Sequence, residues 1–177
     1  MDRFVVITGC SGGGKSTVLA ELARRGYATV EEPGRRIVRE ELASGGQALP
    51  WIGGGLAFVR RAVEMGLADR ATAKSLPGWV FFDRGLIDAA SGVTLLSGEP
   101  VLTELGLTHR YNRAVFMTPP WPEIYVTDLE RLHSLADAEP EYHRLLGEYP
   151  ALGYQPVILP KVSVAERCDL ILRTLGA

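Results

Sequence analysis

The stretch Gly9-Cys10-Ser11-Gly12-Gly13-Gly14-Lys15-Ser16 fits G-x-x-x-x-G-K-[ST], the spacing of a loop that wraps nucleotide phosphates. Each residue type serves that chemistry. The glycines let the backbone turn with positive φ and come close to the phosphates. Successive N–H groups, and the positive end of the following helix dipole, then point at the anion. Lys15 supplies a cation for the β- and γ-phosphates, and the Ser16 hydroxyl is placed to ligate Mg²⁺. The candidate nucleotide-binding residues are therefore Gly9, Ser11, Gly12, Gly13, Gly14, Lys15, Ser16 and Thr17. An apolar run, Phe4 to Thr8, leads in, and a helix-forming run, Thr17 to Ala23, leads out. That strand–loop–helix context separates a phosphate site from a chance string.

Other acidic and basic residues fall where they can join this site. Asp83 ends an apolar run and is followed by Arg84. Its carboxylate can hold Mg²⁺ or take a proton from an attacking hydroxyl, and the alternative is a cap on the next helix. Arg84 is either a substrate clamp or half of a structural ion pair. Glu31 and Glu32 close another strand beside Pro33. Adjacent residues on an extended segment point to opposite sides, and Glu32 is the one assigned to the phosphate loop, as base or as holder of the acceptor hydroxyl. The alternative for Glu32 is a charge favoured by a helix N-terminus. Arg35 and Arg36 follow; one of them can reach an anionic substrate, or both lie on a solvated face. After the fourth strand come Trp121, Asp128 and Arg131. As a lid, about residues 119–150, this segment would exclude water and bring Arg131 to the transferring phosphoryl. Against that stands an exposed Asp128–Arg131 ion pair, three residues apart on one helical face. Trp121 either stacks on a base or packs in the core.

The elements that must position these groups alternate. Strands are expected at Phe4–Thr8, Tyr27–Glu31, Trp79–Asp83, Arg113–Met117 and Pro156–Leu159. Helices are expected at Lys15–Arg25, Arg35–Ala43, Leu56–Lys74 and Leu86–Leu96, with a short one after Pro100. Thr127–Tyr149 reads as mostly helical, interrupted near Pro140, and Gly45 to Gly55 reads as a loose, mobile stretch. Ser163 caps a last helix, Val164–Leu175, with Glu166 completing a capping box. Such alternation predicts an α/β fold with a parallel sheet covered on both faces. Ligands then bind beyond the carboxyl ends of the strands. Arg110, Tyr111 and Arg113 precede a strand, so they fall at the opposite edge.

Composition narrows the classes. The chain has 177 residues, 46% hydrophobic, which suits one domain spanning 1–177 with a sizeable core. A net charge of −2 excludes a basic footprint for nucleic acid. No run is long enough to cross a membrane, and no signal peptide opens the chain, so a cytoplasmic protein is expected. Cys10 and Cys168 match no metal spacing, and Cys10 is a small loop filler or a reactive thiol. His109, His133 and His143 also lack metal spacing and are expected at the surface.

The motif Thr8 to Thr17 resembles the kinase-like branch of P-loop NTPases. With Gly26-Tyr27, Glu32-Pro33, the block Trp121 to Arg131 and the block Leu159 to Arg167, the chain looks like small AAA-type ATPases related to nicotinamide riboside kinase. The resemblance implies a three-layer fold with a five-stranded parallel sheet of order 2-3-1-4-5 and a helical lid. It also implies ATP, rather than GTP, with Mg²⁺. Glu32-Pro33 and Asp83-Arg84 resemble the paired motifs of deoxynucleoside kinases, which implies Glu32 as base and Arg84 near the transferred phosphate. Those kinases carry Glu at the position of Asp83, so the base role stays open between Glu32 and Asp83. The loop Pro160–Ser163 is implied to lie along the adenine. The chain lacks the separate helical domain of ring-forming AAA motors. Two functions remain: a small-molecule kinase using Lys15, Glu32, Asp83, Arg84 and Arg131, with Ser16 and Asp83 on the metal, or a nucleotide-dependent switch without an acceptor. An acceptor-sized pocket ringed by Glu32, Arg35 and Arg84 would favour the kinase, and a flat surface there would favour the switch. A lipid-binding role finds no basic cluster to support it.

Overall fold

The computed structural model describes residues 3–51, 53–124 and 135–177. Its sheet is five-stranded and parallel: β1 (Phe4–Gly9), β2 (Ala28–Val30), β3 (Val80–Asp83), β4 (Ala114–Thr118) and β5 (Gln155–Ile158), in the order β2-β3-β1-β4-β5. Among the described residues seven α-helices accompany it: α1 (Lys15–Arg24), α2 (Pro33–Ser44), α3 (Gly55–Ala73), α4 (Leu86–Ser97), α5 (Val101–Thr108), α6 (Leu135–Ala151) and α7 (Val164–Leu175).

Successive β1 side chains alternate between two cores. Phe4 and Val6 join Phe82 and Met117 beneath α4 and α6, where Leu86, Tyr142, Leu145 and Tyr149 are buried. Val5 and Ile7 join Phe81 and Phe116 beneath α1 and α7, where Val18, Leu22, Cys168 and Ile171 are buried. The central strands are buried on both faces, which is why their sequences are unbroken apolar runs. The result is the three-layer α/β arrangement expected from the alternation.

Two local readings change. Helix α2 begins at Pro33 itself rather than at Arg35. A proline without an N–H, with φ already near helical, suits the first helical position, here two residues beyond Glu31, which follows the strand. Helix α6 runs through Pro140 without a break. Pro140 is the sixth residue of the described helix, so α6 continues past it at the cost of the hydrogen bond that an N–H there would make to the Ala136 carbonyl. Before the glycine-rich stretch ends, Glu41, 7% exposed, accepts a hydrogen bond from the Ala48 N–H at 2.8 Å. The capping box at Ser163 is formed as expected, with the Ser163 N–H donating to Glu166 Oε2 at 3.1 Å and the Glu166 N–H donating back to Ser163 Oγ at 3.3 Å. No helix among the described residues is long and apolar enough to cross a membrane.

Candidate active site

The loop between β1 and α1 is shaped by two glycines. A Cβ on Gly9 (φ +109) would lie 2.4 Å from the Thr118 carbonyl oxygen, so only glycine lets β4 approach this closely. Gly14 (φ +83) is the left-handed residue that opens α1. The Lys15 ammonium is buried and folded over its own loop, donating to the Cys10 carbonyl at 3.0 Å. Burial, and secondarily the nearby Arg84 charge, lowers its pKa. A polyphosphate at this position would supply the missing counter-charge. Cys10 is fully buried and burial pushes its thiol up, which makes it the loop filler rather than a reactive group.

Asp83 stands at the end of the neighbouring strand. Its Oδ2 accepts a hydrogen bond from Ser16 Oγ at 3.2 Å, and its Oδ1 is buried without a hydrogen-bond partner. Burial, reinforced by the like charge of Glu32, raises its pKa to about 6. A buried carboxylate oxygen without a donor, beside a serine hydroxyl, is a hard-oxygen pair that suits Mg²⁺. Among the described residues no group of three or more His, Cys, Asp or Glu could hold a metal. A metal here would take its remaining ligands from phosphate and water. The cap on α4 is not Asp83. The Gly85 N–H donates instead to Asp88 Oδ2 at 2.8 Å.

Arg84 is the hinge of the site. It holds a left-handed conformation (φ +59), uncommon for a non-glycine residue, with its N–H bonded to the Ile7 carbonyl at 2.9 Å. Its guanidinium meets Glu32 at 3.2 Å, Asp88 at 3.5 Å and Glu141 at 2.8 Å. Burial works against the charge, but Glu141, Glu32 and Asp88 outweigh it and hold Arg84 firmly protonated. Asp88 is saturated: besides Arg84 and the Gly85 N–H it accepts from Thr8 Oγ1 and from the Tyr149 hydroxyl at 2.7 Å. Asp88 therefore aims Arg84 and is not free to move a proton.

Glu32 and Glu31 point opposite ways, as the extended geometry requires. Glu32 pairs with Arg84 and, at 3.5 Å, with Arg35, whereas Glu31 pairs with Arg39 on the exposed side. Arg36 turns from the cleft to bind both carboxylate oxygens of Asp69 at 2.8 Å.

These groups line one cleft of about 810 Å³. The phosphate loop, Glu32, Arg35 and Arg84 border it, as does Trp121, which is a cleft residue rather than a core one. The end beyond Arg84 is walled by Trp51, Phe58, Val59, Ala89 and Gly92. The opposite end is bordered by Ile124, Val162, Ser163 and Arg167. Arg167 is 1% exposed, donates to the Gly13 carbonyl at 3.0 Å and sits 5.6 Å from the centre of the Trp121 ring. Asp128 and Arg131 lie outside the described residues, as does His133. His143 is exposed and His109 partly buried.

Four of the site's organising residues were not assigned roles from sequence: Asp88, Glu141, Arg144 and Arg167. Asp88 had a signal, since it falls in the first turn of α4, where an acidic side chain is favoured. Glu141 and Arg144 carry none, because only the tertiary fold brings α6 over the cleft. Tyr111, at the other edge, is buried and accepts the Leu86 N–H at 3.0 Å, and Arg110 is engaged with the Gly106 and Leu152 carbonyls. Both serve packing, in keeping with their position before a strand.

A parallel 2-3-1-4-5 sheet with a glycine loop, a lysine and a serine at the end of its central strand defines a P-loop NTPase of the kinase-like type. The chain belongs to the family described as an AAA domain, whose model matches residues 4–167. No curated protein sequence matches it. Among solved structures it is similar to the NadR protein in complex with NR (18% identity, TM-score 0.70), covering 99% of this chain and 52% of that one. It therefore spans about half the length of NadR. A deoxyadenosine kinase from M. mycoides matches with 14% identity and TM-score 0.65, covering 98% of both chains. A shikimate kinase from Acinetobacter baumannii matches with 19% identity and TM-score 0.58, covering 98% of this chain and 93% of that one. The shared feature is the fold, one used by ATP-dependent phosphotransferases and ATPases.

Proposed function

We propose that this protein is an ATP-dependent small-molecule kinase, a single nucleotide-binding unit whose lid is the segment 119–150. The observation that carries the reading is the cleft: it runs from the phosphate loop past Arg84 into a walled, partly aromatic space beside Glu32 and Arg35. A switch without an acceptor needs no such space. NadR in complex with NR, a deoxyadenosine kinase and a shikimate kinase share the fold, which supports a small-molecule acceptor.

In this reading Gly9, Ser11, Gly12, Gly13, Gly14, Lys15, Ser16 and Thr17 bind the polyphosphate, and Arg131 closes over it. Ser16 and Asp83 would hold Mg²⁺, which when bound neutralises charge on the phosphates. Lys15 and Arg84 offset the charge that develops on the transferring group. Glu32, half-buried and facing the cleft, takes the proton from the acceptor hydroxyl. The acceptor oxygen then bonds to the γ-phosphorus as the bond to the leaving ADP oxygen breaks. Glu32 lines the cleft whereas Asp83 does not, which favours Glu32 as base.

The test is a product assay: MgATP with nucleosides, nicotinamide riboside, shikimate and other small alcohols, followed by mass spectrometry. The reading expects an acceptor that gains one phosphoryl group with stoichiometric ADP. ADP formation with no phosphorylated product across the panel would overturn it in favour of an ATPase switch.

A further inference from the structure

Within the kinase reading above, on which this inference rests, most cations of the cleft are already spoken for. Arg84 is shared among three carboxylates, Arg35 stands beside Glu32, and Lys15 faces the phosphate loop. Arg144 differs. It projects from α6 into the same cleft, one turn beyond Glu141. Its Nε donates to Ser91 Oγ at 2.9 Å, and Ser91 is fully buried on α4 between the cleft-lining residues Ala89 and Gly92. That tether places Arg144 at the acceptor end, not over the phosphate loop. Among the described residues the carboxylate paired with it, Glu148, stands 3.9 Å from the same Nε. The two terminal nitrogens have no hydrogen-bond partner among the described residues. A guanidinium fixed through Nε, with its fork left open at a cleft wall, has the geometry that binds a carboxylate or phosphate through two parallel N–H donors.

We propose that the acceptor carries an anionic group, a phosphate or a carboxylate, bound by the terminal nitrogens of Arg144. Its body would lie against Trp51 and Phe58 and its hydroxyl would face Glu32. Arg144 is thus a specificity residue that distinguishes charged acceptors from neutral ones of the same shape.

Calorimetry with the full chain saturated with Mg²⁺ and AMP-PNP tests this on matched pairs: adenosine against adenosine 5′-monophosphate, and shikimate against its methyl ester. The proposal expects an anionic member of a pair to bind more tightly than its neutral partner; which pair does so separates phosphate from carboxylate. Arg144→Gln should weaken that binding roughly tenfold or more, the scale of one charge-assisted hydrogen bond. Arg144→Lys should recover part of the loss, and Ser91→Ala, which keeps the charge but frees its aim, should show a smaller loss. AMP-PNP affinity and the melting temperature of Arg144→Gln should stay near wild type. Neutral members binding as well as their anionic partners, or Arg144→Gln weakening AMP-PNP as much as the acceptor, would overturn the proposal. If adenosine or nicotinamide riboside is phosphorylated while no anionic probe binds, the anion assignment fails and the kinase reading stands. If no probe binds and no product forms, both fail.

Discussion

Replacing Asp83 by asparagine should stabilise the fold while disabling the site. The carboxyl is 4% exposed, and burial with the neighbouring Glu32 charge moves its pKa from 3.8 to about 6. The native state therefore holds this proton more tightly than the unfolded chain. Stability contributed by the group falls as pH rises from about 4 to about 6, and the deficit is constant above that window. The interval corresponds to about 3 kcal/mol at neutral pH. Asparagine removes the charge and keeps an oxygen for the Ser16 hydroxyl, but its amide adds buried donors, so about 3 kcal/mol is a ceiling. With about 2–4 °C per kcal/mol in a chain of this size, Asp83→Asn should melt several degrees above wild type at pH 7.5. The gain should shrink on lowering the pH below 6 and vanish near 4. Turnover with MgATP should fall about 10- to 100-fold, as for loss of a metal-site ligand or its partner. The assay is paired thermal melts across pH with steady-state ADP release. A variant that melts below wild type at pH 7.5 would refute the reasoning, because it would make Asp83 a satisfied structural carboxylate.

Three further outcomes follow from the same network. Lys15→Ala should weaken MgATP binding by about 10- to 100-fold and abolish transfer, and an unchanged rate would remove the loop from the mechanism. Tyr149→Phe deletes a buried donor 2.7 Å from Asp88 and should cost about 1–3 kcal/mol, read by denaturant unfolding; no loss would mean that Asp88 is not the hub described. Arg167→Ala frees the Gly13 carbonyl and the face of Trp121. It should raise the Kd for nucleotide by about tenfold and shift the tryptophan emission, and wild-type affinity would show that the loop needs no support from α7.

How much of this was legible in the residues depends on sequence distance. The β1–loop–α1 unit could be read because glycine spacing, lysine and flanking periodicity all act within the single stretch Phe4 to Arg24. Asp83 and Glu32 could be placed because strand ends are where a parallel sheet collects its ligands. The start of α2 at Pro33 was not legible, since a proline ends one element and starts another equally well. The contacts that orient the site escaped because they join distant positions. Thr8 meets Asp88 across 80 residues, Arg84 meets Glu141 across 57, and Arg167 meets Gly13 across 154. No local period encodes such pairs.

The most direct measurement is titration calorimetry of the folded protein with ATP, and separately GTP, in magnesium. A single saturable site is predicted for at least one of them, lost or sharply weakened in Lys15→Ala. Well-folded protein that takes up neither nucleotide at millimolar concentration would contradict the account at its root.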